Sequence, residues 1–193
     1  MRYLSQATVP VPSALHAGIT DGYTWHKAIW DSFPGRPDAD RDFLFRVDRR
    51  GEHVRILVLS ADPPMPTGLL KWQTKEVADG FLAHDAYRFQ LKANPTMRRS
   101  SDKRRLAIFD EDRLKAWIDR KAQVGGFSME SLVVGAPVAE VFVKHGKRGK
   151  HVAVEYEGVL RVVDRDAFVE TFQNGIGAAK GFGFGLLMLQ PIH

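Results

Sequence analysis

Tyr23 and His26 stand three residues apart in "DGYTWHKAIWDSF" (21–33). At 100° per residue, Trp25, Ile29 and Phe33 form one apolar stripe, the expected core face of a helix. Tyr23, His26 and Trp30 form a second stripe at i, i+3, i+7 spacing. A phenol and an imidazole held together near a helix start make a proton-transfer pair, and the helix dipole biases His26 toward its neutral, base-competent form. Metal-free RNA cleavage needs little more. A base takes the ribose 2′-OH proton, the oxygen attacks the adjacent phosphate, and an acid protonates the leaving 5′-oxygen. A histidine in this setting also serves structure or simply lies exposed, so both readings stay open on these residues alone.

Charge points to a polyanion. The 193 residues carry 28 basic and 23 acidic side chains, net +5. "RRSSDKRR" (98–105) holds Arg98, Arg99, Lys103, Arg104 and Arg105 against Asp102, and "KHGKRGK" (144–150) holds Lys144, Lys147, Arg148 and Lys150. Each is net +4, so the rest of the chain is acidic by three. Basicity gathered into two patches suits a nucleic-acid partner, with two solvated loops as the alternative. His145 and His151 flank the second patch and can add hydrogen bonds to RNA; the remaining histidines have no constellation around them.

The last motif is "NGIGAAKGFGFGLLML" (174–189). A dinucleotide cradle needs strand, glycine loop, then helix, whereas here a helix precedes and a strand follows. "KGFGF" (180–184) opens like an RNA-recognition signature, but Gly185 and Leu187 stand where an aliphatic and an aromatic residue are required. What remains is a mobile-looking turn rich in backbone N–H groups, with Lys180 in it. It is open either to a phosphate backbone or to service as a helix C-cap. Phe182 and Phe184 stay open to base stacking or to core packing.

Positioning these groups requires a scaffold. Residues 2–9 alternate as a strand. A helix capped by Thr20 or Asp21 ends near Phe33, before Pro34. "DFLFRV" (42–47) and "HVRILVL" (53–59) are strands joined at "DRRGE". "PPMPTGLLKWQTKEV" is ambiguous and can hold a short helix before a strand. The order then recurs, with a strand over 87–95 stopped by Asn94-Pro95, a helix over 110–123, strands over 127–134, 138–144 and 151–162, a helix over 164–173, and a final strand. Asp110, Glu111 and Asp112 suit the first turn of their helix, and Asp164 caps the next. This is α+β, two tandem ferredoxin-like βαββαβ units over residues 1–84 and 85–193.

Other classes find little support. No apolar run approaches the ~18 residues of a membrane span, and the N-terminus lacks the core of a signal peptide. The absence of cysteine excludes disulfides and thiolate metal sites and fits the cytoplasm. Asp38, Asp40 and Asp42 read as a turn, so no metal and no cofactor is expected.

Tyr23 and His26, "FPGRPDADRDFLFR" (33–46), "YRFQLKANPT" (87–96), "YEGVLRVVD" (156–164) and "GIGAAKGFGFGLL" (175–187) together resemble the CasE family, the CRISPR-repeat endoribonucleases of type I-E Cascade in the RAMP superfamily. The resemblance implies a metal-independent nuclease that binds the CRISPR repeat RNA hairpin and cuts at the 3′ base of its stem. It implies products with a 5′-hydroxyl and a 2′,3′-cyclic phosphate or 3′-phosphate, and retention of the crRNA beside the backbone and other Cascade subunits. Target DNA would be met only through that complex. By resemblance His26 and Tyr23 are catalytic, and Lys144, Lys147, Arg148 and Lys150 grip the stem. Lys27, Lys92, Arg98, Arg99, Lys103, Arg104, Arg105, Gly177 and Lys180 complete the expected RNA contacts. One departure is Ala178, where the family loop often carries proline. A non-cleaving RNA scaffold and a small-molecule-binding protein are the competing expectations.

Overall fold

A computed structural model describes residues 1–35, 42–102 and 104–192. The turn expected around Asp38 and Asp40, together with Lys103 and His193, lies outside them. Strand β1 (Tyr3–Pro10) leads into a short helix, α1 (Val11–His16), for which the sequence pattern gave no sign beyond Pro12 in its first turn. Helix α2 (Gly22–Trp30) carries Tyr23 and His26. Strands β2 (Leu44–Arg50) and β3 (His53–Ser60) form the expected hairpin across Gly51-Glu52. Residues 61–72 are irregular and hold no short helix. Pro63, Pro64 and Pro66 explain this, since each removes a backbone donor and disfavours helical geometry before it. Strand β4 (Gln73–Glu76) closes a four-stranded antiparallel sheet ordered β2-β3-β1-β4.

The second unit repeats the plan with both helices. Strand β5 (Ala86–Ala93) is followed by a small hairpin, β6 (Thr96–Arg98) and β7 (Arg105–Ala107), which carries the first basic patch. Helix α3 (Glu111–Val124) begins at Asp110, whose carboxylate accepts from Arg113 N–H. Strands β8 (Phe127–Val134), β9 (Val138–Lys144) and β10 (Lys147–Val162) follow. Helix α4 (Arg165–Asn174), capped by Asp164, and strand β11 (Leu187–Pro191) end the unit. The main sheet is ordered β11-β5-β10-β8, the same 4-1-3-2 arrangement as the first, and the fold is tandem ferredoxin-like. Strand β10 is longer than expected because its first half pairs with β9 and its second half with β5 and β8. The second basic patch is therefore a protruding β-hairpin.

Both faces of the first sheet are covered. Phe45, Ile56 and Val58 pack with Trp25, Ile29 and Phe33 of the α2 segment in one core. Leu44, Leu57 and Leu59, alternate residues on the same strands, pack against Phe172 of α4 and Leu186. A third core lies inside the second unit around Tyr87, Leu91, Trp117, Tyr156 and Phe168. The units are also joined by charge. Arg46, 6% exposed, pairs with Asp48 on its own strand at 2.8 Å and reaches Glu155 on β10 at 3.1 Å. Burial raises the Asp48 carboxyl, but Arg55 and Arg46 beside it outweigh that and hold it below the usual carboxylate range. Arg165 bonds the carbonyls of Leu82 and His84 and the carboxylate of Asp85, clamping the connection between the two sheets.

Candidate active site

Three distant parts of the chain meet at the N-terminus of α2. Asp21 caps the helix: its Oδ1 accepts from Thr24 N–H at 2.8 Å, while Thr24 Oγ1 accepts from Asp21 N–H at 3.0 Å. The other carboxylate oxygen accepts Val143 N–H at 2.8 Å, although Val143 lies on β9, 122 residues away. Burial raises this carboxyl, and the bonds from Thr24 and Val143 more than compensate, leaving it below its ordinary value. Thus the group that starts the helix also docks the basic hairpin.

The glycine stretch is the third part. It runs from α4 through a 3₁₀ turn (Lys180–Phe182) to β11, in the helix–loop–strand order expected. It is not the loose turn that its composition suggested. Ile176 N–H donates to Gly185 O, Gly185 N–H to Lys92 O, and Phe182 N–H to Ala179 O. Gly185 has φ +88°, and a Cβ there would sit 2.6 Å from Ile176 O, so the knit requires glycine. The helix C-cap reading also holds, since Gly175 caps α4 and donates to Thr171 O. At the helix end of the junction, a Cβ on Gly22 would meet Phe182 O at 2.6 Å. Helix α2 and the glycine turn approach this closely only because Gly22 has no side chain.

Around this junction Tyr23, His26, Lys27, Trp30, Asp31, Lys144 and His145 line a cleft of about 580 Å³. The His26 ring is half-buried against Phe43 and Trp30, both at 5.8 Å between centroids. Tyr23 lies 6.2 Å from the rings of His145 and Phe182. Lys27 and Lys144 place their ammonium groups 5.3 and 5.5 Å from the Tyr23 centroid. A phenol, two imidazoles and two ammonium groups converging on one opening can hold a phosphodiester and move protons at it.

The other expected contacts divide. Lys147, Arg148 and Lys150 are exposed along the β9–β10 hairpin beside the cleft. Arg98 and Arg105 are register partners on the small hairpin, and they line a second cleft with Gly177, Lys180, Trp117 and Lys121. Arg99 and Arg104 share Asp102 at 3.4 and 3.6 Å. Lys92 is set differently from the exposed cations. Its side chain is 15% exposed, ion-paired with Glu140 at 2.5 Å and laid over Phe184, so it is occupied inside the fold. Phe184 is core, whereas Phe182 packs on Phe142 and His151 at 4.4 and 4.7 Å. His151 is correspondingly not a surface ligand. Its Nδ1 meets Asn94 Nδ2 at 3.1 Å, and burial holds its imidazole below the usual range despite nearby Glu140. Lys121 and the tie between Asp21 and Val143 were missed. Lys121 carries no local mark, and the tie joins residues too distant for any spacing rule.

A family model described as CRISPR associated protein matches residues 2–191. The Cascade subunit CasE of Escherichia coli K12 is 34% identical over 204 residues, covering 98% of this chain and 100% of that one. The CRISPR-associated endoribonuclease Cse3 of Thermus thermophilus is 32% identical over 117 residues, 54% of this chain and 55% of that one. A solved structure of Thermus thermophilus Cse3 bound to an RNA representing a pre-cleavage complex superposes with a TM-score of 0.86 at 24% identity. That match covers 98% of this chain and 99% of the other, and shows the shared fold. With the family model spanning nearly every residue and a full-length relative above 30% identity, the chain belongs to the CRISPR-associated protein family, as a protein of the CasE type.

Proposed function

We propose that this protein is an endoribonuclease that binds the stem-loop of CRISPR repeat RNA and cleaves the precursor at the 3′ base of the stem by 2′-OH attack. It then stays on the mature crRNA as a Cascade subunit in the cytoplasm. The observation that carries this reading is the convergence of Tyr23, His26, Lys27, Lys144 and His145 on one cleft beside a protruding basic hairpin. A-form RNA hides its base edges in a deep, narrow major groove, so a stem is held chiefly through its phosphates by lysine and arginine. The exposed cations of the two hairpins suit such a grip, with Lys144, Lys147, Arg148 and Lys150 on one and Arg98, Arg99, Arg104 and Arg105 on the other. Lys27, Lys180 and the N–H groups near Gly177 extend the basic track. Two units, residues 1–84 and 85–193, would each supply part of the site. The first gives the catalytic helix, and the second gives the hairpins and the glycine turn that hold RNA against it.

In the reaction, His26 serves proton transfer with the Tyr23 phenol beside it, and the ammonium groups of Lys27 and Lys144 attract the non-bridging phosphate oxygens. His26→Ala should abolish cleavage of a repeat hairpin in EDTA while leaving hairpin affinity nearly intact. A hairpin with 2′-deoxyribose just 5′ of the cut should bind and resist cleavage. Normal cleavage of that substrate, or wild-type activity that vanishes in EDTA and returns with magnesium, would overturn the reading.

A further inference from the structure

We propose that His145 is a further catalytic residue, the general acid that protonates the leaving 5′-oxygen, working opposite His26 as the base. The proposal rests on the endoribonuclease reading above and deepens it. In-line displacement at phosphorus places the attacking 2′-oxygen and the leaving 5′-oxygen on opposite sides of the phosphate. Two proton-transfer groups serve that geometry best when they come from separate walls. Here they do: His26 projects from the helix α2, while His145 sits at the tip of the β9–β10 hairpin. Both imidazoles line the same cleft, with Tyr23 6.2 Å from His145 and one helical turn before His26.

The hairpin tip is built to deliver this side chain. His145 and Gly146 form a two-residue connection between Lys144 and Lys147, with φ of 50° and 71°. Such primed turns need positive φ at both central residues and favour glycine, asparagine and aspartate at the first, so a histidine there is held in an uncommon conformation. The tip is then pinned beside the helix through Val143 N–H and Asp21. The other charged or titratable groups facing His145 in the cleft are Tyr23, Lys27, Asp31, Lys144 and His26.

The step balances. His26 accepts the 2′-OH proton as the O2′–P bond forms, and His145 gives its proton to O5′ as the P–O5′ bond breaks. The products are a 2′,3′-cyclic phosphate and a 5′-hydroxyl. Proton exchange with water restores both rings.

His145→Asn is the appropriate variant, because asparagine tolerates the left-handed turn. On repeat hairpin RNA, its single-turnover rate should fall by about 10²–10⁴-fold, the usual effect of losing a general acid. On RNA carrying a 5′-bridging sulfur at the cut, the departing thiolate needs no proton, and the variant should return close to the wild-type rate. His26→Ala should stay slow on both substrates. Equal slowing of His145→Asn on the oxygen and sulfur substrates would overturn the proposal in favour of a purely structural turn. Wild-type rates for His145→Asn would overturn it as well while leaving the endoribonuclease reading standing. A wild-type protein that cuts neither substrate would defeat the underlying reading itself.

Discussion

Asp21 should be worth more than an ordinary helix cap, because it joins the helix to the hairpin. Two bonds of 2.8 Å end on its carboxylate, one from Thr24 N–H and one from Val143 N–H. Replacing a capping residue by alanine costs about 1 kcal/mol. Losing a charged acceptor for a second N–H adds about 1 kcal/mol, below the roughly 1.5–3 kcal/mol of bonds to charged groups because this one is solvent-exposed. For a chain of this size, a total of about 2 kcal/mol corresponds to a fall in Tm of roughly 4–8 °C. Asparagine caps as well as aspartate but has a single acceptor oxygen, so Asp21→Asn should lose about half as much. The kinetic consequence follows from the hairpin. If about 1 kcal/mol of tip placement is lost, single-turnover cleavage should slow about fivefold in Asp21→Ala. Its effect should also be non-additive with His145→Asn, since both act on one tip. The folded-state pKa of Asp21 is lowered, so its stabilisation is complete above the ordinary carboxylate value near 3.9 and is lost as pH falls through the folded value. The Tm gap between wild type and Asp21→Asn should therefore be full at pH 7 and begin to narrow only as pH falls below about 4. Thermal unfolding across that range, with cleavage at pH 7.5, tests both the cap and the tie. An Asp21→Ala protein with unchanged Tm and full, hairpin-independent activity would refute them.

Two further outcomes are expected. Gly22→Ala should lower both thermal stability and cleavage, although alanine is the better helix former by about 1 kcal/mol, because its Cβ meets Phe182 O at 2.6 Å; a more stable, equally active variant would show that the glycine turn yields freely. Lys144→Ala and Arg148→Ala should each weaken hairpin binding across stem sequences and reduce the salt slope by about one, whereas Lys92→Ala should leave the slope unchanged, as a filter-binding titration in KCl would reveal.

What could be read in advance followed local rules. Trp25 and Ile29 are buried as helical periodicity required, Phe33 is buried just past the end of α2, and Asp110 and Asp164 cap their helices as their positions implied. Tyr23 and His26 share a cleft because three residues make most of one helical turn. The basic hairpin that the resemblance implies around Lys144 to Lys150 forms because β9 offers Val138–Lys144 as a pairing edge. The errors arose where tertiary contacts outweighed composition. Glycine richness suggested mobility at 175–185, but positive φ at Gly175, Gly177, Gly183 and Gly185 lets the chain bond itself and Lys92 O. Lys92 carries the charge of an RNA ligand and is instead consumed by Glu140, a partner 48 positions away that no periodicity links to it.

Neither sheet owns the site. The helix belongs to the first unit, while the hairpin and the glycine turn belong to the second. Three separate contacts hold them together. Asp21 grips Val143, Gly22 admits Phe182 O, and Phe182 rests on Phe142 of the hairpin. Beneath them, Leu44, Leu57 and Leu59 lock against Phe172 and Leu186, and Arg46 reaches Glu155. A tip placed by contacts from three elements is over-determined, so loss of one contact should displace it by a fraction of its travel and slow the chemistry by small factors. Loss of a proton donor removes a step outright and should cost orders of magnitude. That difference in scale, about fivefold against about a hundredfold or more, is what separates the positioning role of Asp21 from the catalytic role assigned to His145.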